Sequence, residues 1–345
     1  SVMPRAQPAA RDARAVRSAT AGREALPAGA PQSALRPLRE AVALQPAVPA
    51  HRLALAEALV ALGRDDEAIA YLEPLVADDP VSGPGNLAIA RAHRNAGRLG
   101  EAERYFYRAV YGQWPPDAQD ARAQTRLELI ALLQDSAEPA RVRTELLGLA
   151  ADFPGDRGLQ LHVGDSLVAL GFAADAVEVF EGVVSRFADP GPAHAGLAMA
   201  HFEAGDYASA LAASAHAVRA DPGHEAATRI RARASAALAL DPTLPRLSVA
   251  ERTARWRRLI ARARPLLTEC VEGKPSPETD QLLSFASTAL SPRASPDLAM
   301  NAGAAIARAV VRLCPAPAGA LTPPGATLDD AVQLVARRVA ARERP

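Results

Sequence analysis

Histidine offers the first candidate chemistry, because its imidazole titrates near neutrality and ligates transition metals. Seven are present, His51, His93, His162, His194, His201, His216 and His224. His194 and His201 stand seven apart, two helical turns, and so could share one face as the best metal candidate in the chain; an ordinary packing or groove role is the preferred reading. No Cys-x-x-Cys, His-Glu-x-x-His, phosphate-cradling glycine loop or calcium-loop pattern occurs. Cys-x-x-Cys-His, the signal for covalent haem, is missing too. Serine, histidine and aspartate are plentiful, but no local signature orders them into a nucleophilic site. The sequence points away from an enzyme and calls for no cofactor or metal.

Arginine is the next candidate. Arg252, Arg255, Arg257, Arg258, Arg262 and Arg264 make the most basic segment. On a helix they spread around the side opposite Trp256 and Ile260, which suits a solvated, salt-bridged face better than a nucleic-acid stripe with aromatic platforms. The whole chain of 345 residues balances 39 basic against 39 acidic residues. That balance argues against a nucleic-acid or anionic-membrane partner. Lys274 is the only lysine, a bias that GC-rich coding explains. No run approaches the roughly 18 to 20 apolar residues that cross a bilayer.

The elements that position these residues are announced by a repeat. Gly29, Gly63, Gly97, Gly171 and Gly205 are separated by 34, 34, 74 and 34 residues, and an insertion of about six restores a single register. Five residues after each stands Ala34, Ala68, Ala102, Ala176 or Ala210. Nine after stand Leu38, Leu72, Phe106 and Phe180, with Ser214 the exception; seven before stand Gly22, Ala56, Ala90, Gly164 and Ala198. Each unit therefore reads as two helices joined at a glycine that takes positive φ without steric cost. Small residues mark close helix approach, and Leu or Phe fills the adjacent gap.

Segments such as LALAEALVALGRDDEAIAYLEPLVADDP and LAIARAHRNAGRLGEAERYFYRAV closely resemble tetratricopeptide repeats, and the resemblance covers roughly residues 15 to 240. It implies an all-α fold: a right-handed superhelical solenoid of about six helix-turn-helix units with a half-unit cap at His224 to Leu240. The third unit lacks the turn glycine, and the insertion falls at Gly112 to Pro116. Residues 1–14 read as an extended arm without its own core, 15–245 as the solenoid and 246–345 as a small helical bundle. In the bundle, Trp256, Ile260, Ala263, Leu267 and Cys270 line one helix, Ser295-Pro296-Asp297 starts another, and Leu328, Val332, Val335 and Val339 form the buried stripe of the last.

Cys270 and Cys314 fall at the C-terminal ends of the first and third bundle helices. Short connections make these parallel, so the pair is a candidate disulfide closing a loop worth about 4 kcal/mol; two buried free thiols are the alternative. A disulfide implies an oxidising compartment. The chain opens Ser1-Val2 instead of methionine, consistent with a removed leader or a trimmed start. Together these suggest export (periplasmic, outer-surface or extracellular) in a high-GC bacterium, with the cytoplasm as alternative.

The resemblance also implies a groove, lined by first helices at ten, six and three positions before the turn glycine, that binds extended peptides. Those positions hold Leu53, Glu57 and Val60; Leu87, Arg91 and Arg94; Leu161, Asp165 and Val168; Ala195, Met199 and Phe202. Chaperone-binding members clamp a terminal carboxylate with asparagine and lysine here. Glu57, Arg91, Asp165 and Met199 at the asparagine place argue against that activity. The leading expectation is a non-catalytic scaffold binding a protein segment, with Arg91, Arg94, Met199 and Phe202 as preferred contacts. Alternatively the arm or the bundle fills the groove. A different class is a structural subunit self-associating into a filament, coat or envelope complex, its groove holding a neighbour's arm or a polysaccharide; only two tryptophans make a sugar-stacking site hard to place.

Overall fold

The computed structural model describes residues 6–135, 138–188, 190–271, 276–314 and 328–342. Among them there are seventeen α-helices and no strand, only an isolated bridge between Ser82 and Gln113. The chain forms two compact units, Ser1–Asp152 and Phe153–Pro345.

Unit 1 stacks eight helices in antiparallel pairs: α1 (Ala6–Ala25) with α2 (Pro31–Leu44), α3 (Pro49–Ala61) with α4 (Asp65–Asp78), α5 (Gly83–Asn95) with α6 (Leu99–Val110), and α7 (Gln119–Asp135) with α8 (Pro139–Asp152). All five repeat glycines of the molecule turn with φ between +69° and +83°. The expected gap-filling holds at atomic level. Leu38, Leu72 and Phe106 are wholly buried, and a Cβ on Gly22 would lie 2.4 Å from Leu38 Cγ. The insertion is anchored rather than loose: Gly83 N–H donates to Gln113 O at 2.8 Å, and Trp114 Nε1 donates to Ala109 O at 2.8 Å. Where the turn glycine is missing, Ser136 and Ala137 lie outside the described residues. The α7–α8 pair is tied instead by the buried Arg126 and Glu145, 3.6 Å apart, with Tyr111 donating to Glu145 at 3.0 Å.

One expectation changes. Residues 6–14, read as part of an extended arm, form the first half of α1; residues 1–5 lie outside the described chain. The segment is rich in alanine and arginine, good helix formers, and Pro8 falls in the first turn, where its missing N–H costs nothing. Asp12 accepts from Gln45 at 2.9 Å, Arg14 pairs with Glu40, and Ala15 and Ala19 are wholly buried. The segment is the worn first helix of the first repeat.

Unit 2 continues with α9 (Arg157–Ala169), α10 (Ala173–Arg186), α11 (Gly191–Glu203), α12 (Tyr207–Ala220) and the half-unit α13 (Glu225–Leu240). Phe180 fills the space left by Gly164, where a Cβ would sit 2.5 Å from its Cζ. Four more helices complete the unit: α14 (Val249–Cys270), α15 (Pro277–Ala289), α16 (Pro296–Leu313) and α17 (Leu328–Arg342). α14 and α16 pack together, with Trp256 fitted over Gly303, and a disulfide joins Cys270 to Cys314 across Cα atoms 5.4 Å apart. Of the expected stripe, Val332, Val335 and Val339 are buried, and the side chain of Leu328 lies outside the described residues. In the basic run Arg252 and Arg258 are exposed, while Arg255 and Arg257 bond to the fold itself. Arg255 caps the end of α13 by donating to Leu238 O at 2.6 Å and Asp241 O at 3.1 Å, and Arg257 donates to Ala294 O at 2.8 Å.

Candidate functional site

In unit 1 the first helices of successive pairs, α1, α3, α5 and α7, present Arg23, Glu57, Arg91 and Glu128 at intervals of 34, 34 and 37 residues. The signs alternate along the row. Arg91 straddles the Glu128 carboxylate, its Nε 3.2 and 3.1 Å from the two oxygens, and Arg94, one turn on, donates to Oε2 at 3.0 Å. This is the two-pronged geometry in which guanidinium holds carboxylate best. Glu128 is mostly buried, its side chain 13% exposed, while each arginine keeps about a third of its surface open. The hydrogen bond to Glu128 raises the Arg91 pKa against the opposing effect of burial. Arg94 is further steadied over the Phe106 ring, 5.5 Å from its centroid.

Glu57 differs. Among the described residues no cation approaches it within ion-pair distance, yet protein atoms crowd it. The resulting loss of hydration pushes its carboxyl pKa up; Arg91 first and Arg23 second oppose that rise. It remains exposed to solvent, a half-desolvated acceptor between two cations. Leu53 and Val60 flank it, half-buried against the core of the α2–α5 region. Leu87 is buried at 8% exposure and belongs to that interior more than to a groove, because Ala88, Ala90 and Ala92 let α5 sit deep.

In unit 2, Asp165 is exposed and its pKa is raised by desolvation, with His162 opposing. Leu161, Val168 and Met199 are half-buried. Phe202, expected to meet a partner, is instead interior at 4% exposure. Arg233 lies 4.7 Å over its ring, and Tyr207 packs beside it at 5.4 Å. Arg233 belongs to α13, in the next repeat, which a groove rule drawn from single repeats does not include. His194 and His201 do not converge: His194 stacks on His216 with centroids 4.8 Å apart, and His201 faces Asp206 at 3.9 Å. Among the described residues no three His, Cys, Asp or Glu side chains gather as a metal site, and no helix is long and apolar enough to cross a membrane.

Sequence reasoning missed Arg23 and Glu128. Arg23 was legible, standing one 34-residue period before Glu57; Glu128 is displaced three residues by the insertion and so fell off the register.

Two tetratricopeptide repeat family models match residues 25–84 and 164–225. No curated protein sequence matches the chain. Among solved structures, it is similar to Naa15/Naa10 bound to HypK-THB, at 16% identity and a TM-score of 0.50 over 87% of this chain and 46% of that one. It is also similar to PilF of Pseudomonas aeruginosa, at 16% identity and 0.42 over 65% of this chain and 99% of that one. A third is YrrB, a tetratricopeptide protein with an unusual peptide-binding site, at 16% identity and 0.41 over 56% of this chain and 97% of that one. At such identities the likeness concerns the fold alone.

Proposed function

We propose that this chain, a tetratricopeptide-repeat protein, is a non-catalytic scaffold that holds an extended protein segment against α3, α5 and α7 of unit 1. The observation that carries the reading is Glu57, an accessible and partly desolvated carboxylate without an ion pair among the described residues, beside an Arg91–Glu128–Arg94 clamp already fixed in place. A basic side chain of the segment meets Glu57, and the unspent N–H donors of Arg91 and Arg94 take its backbone carbonyls. Preorganised donors lose little entropy on binding, so the clamp favours a ligand that forms no structure of its own.

The setting we favour is exported, supported by the Cys270–Cys314 disulfide, since such bridges persist in oxidising compartments. Self-assembly through an N-terminal arm loses its motive, because residues 6–14 are folded into α1. Neither tryptophan favours a polysaccharide: Trp114 packs on Gly83 and Trp256 is 6% exposed.

Selection of a displayed random peptide library on the full chain tests the reading. Enriched peptides should carry a basic residue, and the Arg91→Ala/Arg94→Ala double variant should bind them at least tenfold more weakly. A library that yields no consensus, or peptides indifferent to that variant, would sink it.

A further inference from the structure

The chain's last helix packs on α16, α13 and α14, and its polar contacts to the end of the repeats are specific. α17 runs parallel to α13. At its start Asp330 pairs with Arg233, whose Nη2 donates to Oδ1 at 2.9 Å; eight residues on, Arg338 places Nε 3.1 Å from Oδ2 of Asp241, eight residues beyond Arg233. Arg338 also donates Nη1 to the carbonyl of Gly205 at 3.0 Å, the glycine that turns α11 into α12. Tyr207, at the start of α12, donates its hydroxyl to the Leu334 carbonyl at 3.4 Å and lies 5.8 Å under the Arg338 guanidinium. Asp241 is wholly buried, its other oxygen taken by Thr243 N–H and Oγ1 at 2.7 Å each. The polar anchors thus come from α12, α13 and the turn before α12, while Phe202 of α11 lies beneath Arg233.

We propose that the face made by Phe202, Tyr207, Arg233 and Asp241 is a binding site for an amphipathic helix, and that α17 is the occupant this chain supplies for itself. The site is separate from the Glu57 face and does not depend on it. Its ligand is defined by the occupant's polar anchors, an acid at one position and an arginine eight further on, as Asp330 and Arg338 stand here, on a helix that carries a buried apolar stripe such as Val332, Val335 and Val339. Groove recognition of a helix by spaced anchors of this kind is general. A covalently joined helix acts at an effective concentration on the order of millimolar. An outside helix of matching pattern therefore enters when the hold of α17 is weakened, and it competes for the same two ion pairs.

The test uses the full chain carrying Asp330→Arg and Val335→Glu, changes confined to α17 that leave the seat intact. A fluorescein-labelled synthetic peptide of residues 328–342 is titrated against it by anisotropy. The peptide should bind this variant at least tenfold more tightly than the wild type, and adding Arg233→Glu should remove that gain. Equal binding to both chains, no binding to a variant that keeps its helical circular dichroism, or indifference to Arg233→Glu would each overturn the proposal. So would a signal that tracks dimerisation of the variant in light scattering, which assigns the seat to a second copy. Should the variant not fold, amide exchange on the wild type decides. α17 should open at a lower free energy than α13; exchange of the two together would make α17 a fixed part of the core and refute the idea.

Discussion

The inner sides of the two units are built on one repeat register and end in opposite conditions. In unit 1 the row of alternating charges stays open to solvent at Glu57, which lacks an ion pair among the described residues, and at two arginines braced by the mostly buried Glu128. In unit 2 the corresponding end of the row is shut: Phe202 is interior, and Arg233, Asp241 and Tyr207 all engage α17. Position in a repeat therefore sets which side chains can face a ligand. The helices packed beside them decide whether they do.

The shared core should fail alike in both units, which is the largest expected effect. Phe106→Ala and Phe180→Ala each remove a wholly buried ring and should each cost about 3–5 kcal/mol in urea unfolding. A loss in one unit only would mean that the register is not equivalent. Removing the disulfide with Cys270→Ser and Cys314→Ser sharpens the contrast, since its 44-residue span lies in unit 2 alone. Chain entropy predicts a loss of about 4 kcal/mol, read as faster amide exchange in α14 and α16 with α3 and α5 unchanged.

At the turns, Gly63→Ala and Gly171→Ala force a Cβ into positive φ and should cost about 1–2 kcal/mol each. No atom crowds either site, so a larger loss would point to a contact beyond backbone strain. The smallest effect belongs to Glu57. Its folded-state pKa is raised by desolvation, so the stability it contributes is greatest at low pH and is lost as pH rises through that raised value. Glu57→Gln should nudge the Tm upward at neutral pH and flatten this part of the pH dependence, while weakening peptides with a basic residue. An unchanged Tm profile would remove the desolvation argument.

Much of this architecture was legible in the residues. The glycines at positions 29, 63, 97, 171 and 205 announced their positive φ, and the pairing of small residues with Leu38 and Phe180 announced a contact the structure shows. The two cysteines were legible because parallel helices of known length bring their ends together. The occupant of the second inner face was harder to read. Arg233 and Asp330 are 97 residues apart, and local periodicity carries no information about which distant helix covers a given row. The helical state of residues 6–14 was obscured by Pro8 and by a lack of large apolar residues, although alanine suffices where helices approach this closely.

The most direct test of the central claim is an amide-exchange footprint of the full chain with a library-selected peptide. The account predicts added protection in α3, α5 and α7, reduced by Arg91→Ala/Arg94→Ala, with α11 and α13 unchanged. Protection confined to unit 2, or none in unit 1, would contradict it.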